Sequence, residues 1–387
     1  MATDDQQTHF ETDDPIVEVR NISVTYDEGE TYVLNDVSMD LERREILGVV
    51  GESGSGKSMF ASALLDAIPD PGLLTGKVLY HGADGETVDV LELDHEELYR
   101  FRWEEISMVF QGAMSSFNPT MKVGAHFRET LKAHDKNVEE GMAFARQLLS
   151  DLYLDPERVL GSYSHELSGG MQQRALIALS VVLEPEVLVM DEPTAALDLL
   201  MQRSILMLLN DLQEKYDLTM LFITHDLPLV ASLASRMGVM YAFEMIEIGP
   251  RDEVIGDSGH PYTRALLNAT PNLDAPLEEM KPIEGQSPAP VNVPDGCSYH
   301  PRCPLADDEC ISDHPDFYSV SAGHGAACHH WEQAQSEIRL NFEAADSGGD
   351  GDVAADGGRP LSSAADGDER GSGAHDTSSA SDGGAGR

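Results

Sequence analysis

A glycine-rich run that ends in a lysine and a serine is the clearest chemical feature of the sequence. Residues 51–58 read GESGSGKS and fit the pattern G-x-x-x-x-G-K-[ST]. Residues 45–50 predict a buried strand before the run, and helical spacing of apolar residues follows it from Phe60 until Pro69. Glycines between a strand and a helix let backbone N–H groups turn onto phosphate oxygens. The run therefore predicts a phosphate-binding loop for a nucleoside triphosphate.

The side chains of this loop have separate predicted tasks. We expect Lys57 to reach the β- and γ-phosphates and the Ser58 hydroxyl to bind Mg²⁺. The positions expected to contact the nucleotide are Gly51, Ser53, Gly54, Ser55, Gly56, Lys57 and Ser58. The flanking strand and helix disfavour a chance glycine loop, although the motif by itself indicates only that a nucleotide binds.

Two adjacent carboxylates follow another apolar run, residues 187–190. Asp191 is expected to hold Mg²⁺, and Glu192 is expected to orient and deprotonate the attacking water as a general base. A charged pair after a strand is often only the solvated end of that strand. The phosphate-binding loop elsewhere in the chain favours the catalytic interpretation, which is hydrolysis of the nucleotide.

The sequence LSGGMQQR at residues 167–174 predicts a second anion site. Ser168 is expected to cap a helix, and Gly169 and Gly170 leave the amides of its first turn bare. One nucleotide needs only one phosphate-binding loop. We therefore expect this helix end to serve an ATP molecule held by another subunit.

The apolar pattern around these motifs predicts an α/β fold. Strand-rich sequence begins at Pro15, and residues 95–183 are mostly helical, with an amphipathic stretch at 138–154. Further strands are predicted at 187–190 and 219–223, with a helix between them. Alternation of strand, helix and strand implies a mainly parallel sheet covered by helices.

Composition changes at both ends of the chain and after about residue 255. Residues 1–14 are polar and are expected to be disordered. Beyond residue 255 the prolines multiply, and all four cysteines fall between 297 and 328, which predicts a small separate module at 256–340. Residues 341–387 are rich in Gly, Ser, Ala and Asp, and we expect a disordered acidic tail.

Acidic residues outnumber basic ones by 69 to 25, which gives a formal net charge of −44. At about 1 M salt the Debye length falls to about 3 Å and neighbouring carboxylates no longer repel one another. We therefore expect a salt-loving archaeal host. The chain shows no basic stripe, which argues against nucleic acid as a partner. It also shows no apolar run of about 18 residues and no signal-peptide core, so we do not expect the chain to span a membrane by itself.

The cysteines lie at Cys297, Cys303, Cys310 and Cys328. They lack the C-x2-C pairs with which zinc sites usually begin. Disulfides are possible in principle, but an ATPase of the cytosol keeps its thiols reduced. Four thiolates suit an iron–sulfur cluster, and zinc remains the alternative.

The three nucleotide motifs together resemble those of ABC ATPases over about residues 15–255. The resemblance implies a P-loop NTPase fold of ABC type, with a mixed or parallel sheet core, an antiparallel β subdomain and a helical subdomain. It implies that residues 167–174 are the signature motif. Two subunits would then pack head to tail, with each ATP between the phosphate-binding loop of one and the Ser168 helix of the other.

The resemblance also assigns roles position by position. Gln111 matches the Q-loop that senses Mg²⁺ and contacts the membrane subunit. Asp198, in the run 196–198, matches the D-loop at the dimer interface, and His225 matches the switch histidine that contacts the γ-phosphate. Tyr26 lies where the family places an aromatic ring on adenine, with Tyr32 as a near alternative.

The C-terminal region adds a narrower resemblance. Residues 259–267 (GHPYTRALL) and 297–304 (CSYHPRCP) resemble the C-terminal extension of oligopeptide/dipeptide importer ATPases. This implies ATP-driven uptake of di- or oligopeptides, although relatives also import nickel or oligosaccharides. It implies two transmembrane permeases, a second homologous ATPase or a second copy of this chain, and indirectly an extracellular binding protein. The chain would lie on the cytoplasmic face of the cell membrane and carry a [4Fe–4S] cluster on its four cysteines.

Two other functions compete with this interpretation. Non-transport ABC ATPases of repair or chromosome type need a long coiled coil, for which the segment between Ser58 and Leu167 leaves no space. Translation-type relatives usually carry two sets of motifs, and one set occurs here. A nucleotide-binding regulator with inactive sites is opposed by the intact set of Lys57, Asp191, Glu192 and His225.

Overall fold

The computed structural model describes residues 12, 14–29, 31–83, 85–110, 112, 116–195, 197–270 and 283–341. Within them, two β-sheets and their helices form the fold. Most of the N-terminal segment 1–14 and the tail from 342 onward, for which disorder is predicted, lie outside the described residues.

The smaller sheet is antiparallel and consists of β1 (Pro15–Tyr26), β2 (Thr31–Glu42), β4 (Leu73–His81) and β5 (Thr87–Asp89). The strands lie in the order β2-β1-β4-β5. Alternate residues of β1, including Val17 and Val19, are buried, as a sheet with one face on the core requires. This sheet is the predicted antiparallel β subdomain.

The larger sheet has eight strands, which are β3 (Ile46–Val50), β6 (Ile106–Val109), β7 (Val187–Asp191), β8 (Thr219–Ile223), β9 (Arg236–Tyr241), β10 (Glu244–Pro250), β11 (Tyr318–Ser321) and β12 (His324–Ala326). Their order in the sheet is β11-β12-β10-β9-β3-β8-β7-β6. The five strands from β9 to β6 run parallel, and the other pairings are antiparallel. All residues of β3, β7 and β8 are buried, because helices cover both faces of a parallel sheet.

The described helices begin at good capping residues in most cases. Asn137, Asp155, Ser168 and Asp198 each accept backbone N–H groups of the turn that follows. The bounds are α1 (Lys57–Ala63), α2 (His95–Glu104), α3 (Val123–Ala133), α4 (Val138–Asp151), α5 (Pro156–Gly161), α6 (Gly169–Val181), α7 (Leu199–Tyr216), α8 (Leu227–Leu233), α9 (Arg251–Gly256), α10 (Pro261–Ala269), α11 (Asp308–Ser312) and α12 (Trp331–Glu337).

Helices α3 to α6 pack on one another and form the helical subdomain. The amphipathic stretch predicted at 138–154 is α4, which buries Met142, Ala145, Leu148 and Leu149 along one face. None of the helices in the described parts of the chain has the length and apolar character that crossing a bilayer requires.

Helix α1 is shorter than its apolar spacing predicts. The pattern continues to Ile68, but the helix ends at Ala63 and Asp66 adopts a positive φ of 46°. The carbonyl oxygen of Leu65 accepts a hydrogen bond from Arg102 Nε at 2.8 Å, and Arg102 Nη2 donates to the Asp66 carbonyl at 2.5 Å. These carbonyl oxygens would accept backbone N–H groups if the helix continued, and the contact with α2 satisfies them instead.

The segment predicted as a small separate module adds two strands to the large sheet. β12 pairs with β10 through Ala326 opposite Glu247, and β11 pairs with β12. Helix α10 lies between β10 and β11 in sequence, and the GHPY run stands at its start. The region that contains the four cysteines is therefore joined to the sheet of the parallel core through β11 and β12.

Candidate functional site

The loop between β3 and α1 has the backbone geometry that its glycines predict. Gly56 precedes α1 with a φ of 101°, which residues with a Cβ rarely adopt. A Cβ at Gly51 would lie 2.2 Å from the Met240 carbonyl oxygen, so the loop packs tightly against the end of β9. Only glycine fits both positions. The sequence thus folds into a narrow cradle of backbone at the carboxyl end of the central strand.

Lys57 points back into this cradle. Its Nζ donates hydrogen bonds to the carbonyls of Gly51 at 2.8 Å and Glu52 at 2.7 Å, and it lies 3.2 Å from Ser55 Oγ. Burial lowers the pKa of Lys57 to about 8, against the attraction of the Glu192, Asp191 and Glu52 carboxylates. The ammonium is therefore held where phosphate oxygens would meet it.

Asp191 ends β7 and lies beside the first turn of α1. The Ser58 hydroxyl hydrogen-bonds to its carboxylate, so the two predicted Mg²⁺ ligands are neighbours. Asp191 is 3% exposed, and burial, followed by the Glu192 charge, raises its pKa. Its Oδ1 is buried without a hydrogen-bond partner among the described residues. A buried free carboxylate oxygen beside a hydroxyl fits Mg²⁺, a cation that takes oxygen ligands and neutralises phosphate charge.

Glu192 and His225 come together because β7 and β8 are adjacent parallel strands. Glu192 Oε1 lies 3.0 Å from His225 Nδ1, and the Glu192 N–H donates to the Ile223 carbonyl at 2.9 Å. Glu192 adopts a positive φ of 47°, which turns its side chain at the strand end. The predicted base and the predicted switch histidine thus form one hydrogen-bonded pair at this edge of the sheet.

Ser168 and Asp198 cap neighbouring helices. Ser168 Oγ accepts the Met171 N–H at 3.4 Å, and Asp198 Oδ1 accepts those of Leu200 and Met201 at 3.1 Å each. A Cβ at Gly170 would lie 1.9 Å from Met201 Cε, so the starts of α6 and α7 are in contact. The predicted signature run, with Gly169, and the predicted D-loop residue Asp198 therefore lie close together. Gln111 and Ala196 lie outside the described residues.

The two candidate adenine-stacking residues differ in their surroundings. The Tyr26 hydroxyl donates to the Pro69 carbonyl at 3.1 Å, and its ring lies against Gly72. Tyr32 is 42% exposed on β2. Both belong to the smaller sheet, whose β2 also supplies the Val33 carbonyl oxygen that lies near Gly56.

The GHPY run has a clear local structural cause. Buried Glu247 accepts the Gly259 N–H at 2.6 Å and the His260 N–H at 3.1 Å. His260 Nδ1 caps α10 by accepting the Tyr262 N–H at 3.0 Å, and burial lowers the His260 pKa to about 3. Neutral His260 is therefore a helix cap, and Pro261 occupies the first helical position.

Residues of the C-terminal region contact the phosphate-binding loop. The sequence did not predict this contact. The Glu52 N–H donates to the Tyr262 hydroxyl at 2.9 Å, and Arg302 pairs with the Glu52 carboxylate. One signal in the sequence could have drawn attention to Arg302. It is an arginine inside the cysteine motif of a chain with only 25 basic residues.

The four cysteines line one small pocket, together with His260, Tyr299 and His330 among others. Backbone N–H groups of residues that follow three of the cysteines donate hydrogen bonds to the sulfurs of those cysteines. For Cys297 the donors are the N–H groups of Tyr299 and His300. Burial raises the pKa of all four thiols, that of Cys303 to about 11. Among the described His, Cys, Asp and Glu residues, the one group of three or more whose ligand atoms lie mutually within 4.8 Å is Asp307, Cys310 and His330.

The fold and the site define a class of protein. Three features are arranged as in an ABC ATPase. They are a phosphate-binding loop after the central strand, an Asp-Glu pair at the end of the strand two positions away in the sheet, and a capped LSGG helix. Residues 34–195 match the family model described as ABC transporter, and residues 246–310 match the oligopeptide/dipeptide transporter, C-terminal region. The chain belongs to the ABC transporter ATP-binding proteins that carry this C-terminal region, a family of ATP hydrolases.

Relatives support the same placement. The dipeptide transport ATP-binding protein DppD of Caldanaerobacter subterraneus subsp. tengcongensis is 38% identical over 325 residues, which cover 83% of this chain and 98% of the relative. The oligopeptide transport ATP-binding protein OppD of Escherichia coli is 39% identical over 320 residues, with 81% and 93% covered. The dimeric ABC transporter cassette MJ0796 superposes with a TM-score of 0.52 at 27% identity, covering 61% of this chain and 98% of that chain. The predicted fold and family are confirmed.

Proposed function

We propose that this chain energises the uptake of di- or oligopeptides through separate permease subunits. The observation that carries the proposal is the C-terminal region, which resembles that of peptide transport proteins and contacts the phosphate-binding loop. In this proposal, residues 15–255 form the ATPase domain and residues 256–340 its peptide-importer extension. Nickel or oligosaccharide uptake by the same ATPase is the alternative.

The contacts of the described side chains support their proposed catalytic roles. Lys57 attracts the β- and γ-phosphates from inside the loop, while Ser58 and Asp191 hold Mg²⁺. Glu192 takes the proton of the attacking water. His225, at hydrogen-bond distance from Glu192, orients that carboxylate and reaches the γ-phosphate. From the family resemblance, Gln111 would complete the Mg²⁺ site, and Tyr26, or Tyr32 as the alternative, would stack on adenine.

The second half of each ATP site belongs to a neighbouring subunit. Ser168 and Gly169 lie at the start of a 13-residue helix, where the helix dipole favours phosphate, and Gly170 follows them, packed against Met201. Next to them, beyond Asp198, Leu199 and Leu200 are 68% and 79% exposed, which suits an interface between subunits. The partner is a second copy or a homologous ATPase, packed head to tail, and this pair works on two permeases at the cytoplasmic face of the membrane.

Reconstitution tests the transported substrate. The chain is combined in liposomes with two permeases and a second ATPase, and the matching extracellular binding protein is added outside. Peptide import predicts that ATP hydrolysis rises when the binding protein carries a pentapeptide. It predicts no rise with chelated Ni²⁺ or a malto-oligosaccharide. A rise with Ni²⁺ or sugar alone would replace peptide as the cargo, and hydrolysis without any permease response would contradict a transport role.

We also propose a [4Fe–4S] cluster on Cys297, Cys303, Cys310 and Cys328. A tetrahedral zinc ion with Zn–S bonds of about 2.3 Å needs sulfurs roughly 3.8 Å apart. No three of the four sulfurs belong to a ligand group within 4.8 Å, yet all four surround one pocket. Wider spacing favours a larger cluster, which stabilises this region when bound. The backbone N–H donors at the sulfurs favour thiolates in either case.

Anaerobic purification distinguishes the two metals. The cluster predicts a brown protein with about four iron and four sulfide ions per chain. Replacement of Cys328 by serine should abolish the colour. A colourless protein with one zinc ion per chain would establish the alternative.

Salt adaptation is the remaining proposal about this chain. Its net charge of −44 predicts self-repulsion in dilute buffer that salt relieves. ATP hydrolysis and the unfolding temperature should both rise between about 0.1 M and several molar KCl. Full activity and stability in dilute buffer would contradict this proposal.

A further inference from the structure

Arg302 joins the cysteine motif to the phosphate-binding loop through a pair of hydrogen bonds. Its Nη1 donates to Glu52 Oε2 at 2.7 Å and its Nη2 to Glu52 Oε1 at 3.0 Å, a bidentate pair. The Arg302 side chain is 6% exposed and that of Glu52 27% exposed. Glu52 is the second residue of the phosphate-binding loop. A carboxylate of the loop is therefore held by a guanidinium that lies 250 positions further along the chain.

Other groups fix Arg302 in this orientation. Its Nε donates to the Glu284 carbonyl at 2.8 Å, and its Nη1 lies 3.3 Å from the Tyr241 hydroxyl. The guanidinium stands over the rings of Tyr241 and Tyr299, 5.7 and 5.8 Å from their centroids. Each of the three guanidinium nitrogens therefore has a hydrogen-bond partner. An ion pair on the surface usually lacks such additional contacts.

Three tyrosines complete the contact. Tyr241, Tyr262 and Tyr299 pack with ring centroids 4.5 to 5.5 Å apart. Tyr262 accepts the Glu52 N–H, so the C-terminal region holds both the backbone and the side chain of this loop residue. Tyr299 stands between Cys297 and Cys303 in sequence. The segment that bears the thiols is therefore joined to the loop through packed rings and two hydrogen-bonding groups.

We infer that Arg302 is a positioning residue of the ATP site, which neutralises Glu52 and holds its carboxylate away from the incoming phosphates. The Glu52 carboxylate is near enough to Lys57 to attract its ammonium. Unpaired, it would compete with ATP for Lys57 and repel the triphosphate. Tyr262 supports the same loop from the backbone side. The inference rests on the proposed nucleotide site. It adds that high affinity for ATP requires a residue of the C-terminal region.

Binding of MgATP to the purified full-length chain tests the inference. Arg302→Gln should raise the Kd roughly tenfold, because a buried charge-assisted pair is lost and Glu52 is left unpaired. Glu52→Gln combined with Arg302→Gln should restore most of the affinity, since no carboxylate then remains to repel phosphate. Turnover at saturating ATP should change far less than the Kd, because neither residue touches the reacting atoms.

Arg236 offers a matched control. It forms a buried pair with Glu45 at 2.8 Å, at the other end of β3 from the phosphate-binding loop. Arg236→Gln should lower the unfolding temperature and leave the Kd within about twofold. A Kd for Arg302→Gln within twofold of the parent would overturn the inference. So would a double variant that binds as weakly as Arg302→Gln, because the loss would then come from the fold of the cysteine region.

Glu52→Asp covers the case in which Arg302→Gln does not fold. The shortened side chain keeps the charge but cannot reach both nitrogens of the fork, so MgATP binding should weaken several-fold. Unchanged binding in Glu52→Asp would also overturn the inference. If the parent chain binds no ATP, the proposed nucleotide site fails, and that result is separate from any difference between variants.

Discussion

Glutamine at position 192 removes the predicted general base while keeping the shape of the side chain. Glu192 is 14% exposed and lies 3.0 Å from His225 Nδ1, a contact that a glutamine amide can also make. Its backbone N–H remains bonded to the Ile223 carbonyl. We therefore expect Glu192→Gln to fold normally, with a free energy of unfolding within about 1 kcal/mol of the parent.

The rate of hydrolysis should fall much more. A positioned general base contributes roughly 10²- to 10⁴-fold, which corresponds to about 2.7 to 5.5 kcal/mol of activation free energy. Lys57, Ser58 and Asp191 are unchanged, so the Kd for MgATP should stay within about threefold. The variant should therefore accumulate as an ATP-bound dimer, because closure persists when hydrolysis does not reopen it.

Phosphate release at saturating ATP, binding of labelled nucleotide and the mass of the particle in solution measure these effects. Glu157→Gln is the control, because Glu157 is a 76% exposed glutamate that pairs with Arg146 on the surface. It should match the parent in all three assays. Turnover of Glu192→Gln within threefold of the parent, with full ATP binding, would refute the role of Glu192 as the base.

Three further perturbations have defined outcomes. The pKa of Lys57 is lowered to about 8, so its charge is present below that pH and lost above it; MgATP affinity measured from pH 7 to 9 should be flat and then fall, by up to about tenfold per unit. A constant affinity would show that the Lys57 charge does not contribute. Glu247→Ala leaves the Gly259 and His260 N–H groups and His324 without their acceptor, and should cost about 3 kcal/mol in denaturant unfolding, whereas exposed Glu214→Ala should cost little. Ser168→Ala removes a helix cap and should weaken the ATP-dependent dimer more than ATP binding to the single chain, measured by sedimentation; equal losses in both would contradict a role across the interface.

Much of the nucleotide site was predictable because its causes are local. The glycines of the loop permit the left-handed backbone at Gly56, and the caps at Ser168 and Asp198 depend on residues within three positions. The buried strands 187–190 and 219–223 were predicted from apolar runs alone, within one residue of β7 and β8. Roles taken from motif order, such as that of His225, followed from these elements.

The order of the strands was decided by tertiary structure. Both Glu192 and His225 follow predicted strands, but they meet because β7 and β8 are neighbours in the sheet. The early end of α1 depends on Arg102, which belongs to another helix and binds the carbonyls of Leu65 and Asp66. Neither outcome follows from propensity or spacing, because each requires a partner brought in by the path of the chain.

Local sequence also does not show that the C-terminal region, predicted as a separate module, joins the large sheet. Its composition changes at about residue 255, and prolines and cysteines do indicate a new segment. Composition reports how a stretch differs from its neighbours, whereas attachment depends on which edge of which sheet offers free N–H and C=O groups. β10 offers that edge to β12, and the same C-terminal region also contacts the phosphate-binding loop through Arg302 and Glu52. The sequence alone determined the chemistry of the site, while packing of distant segments decided which residues hold it in place.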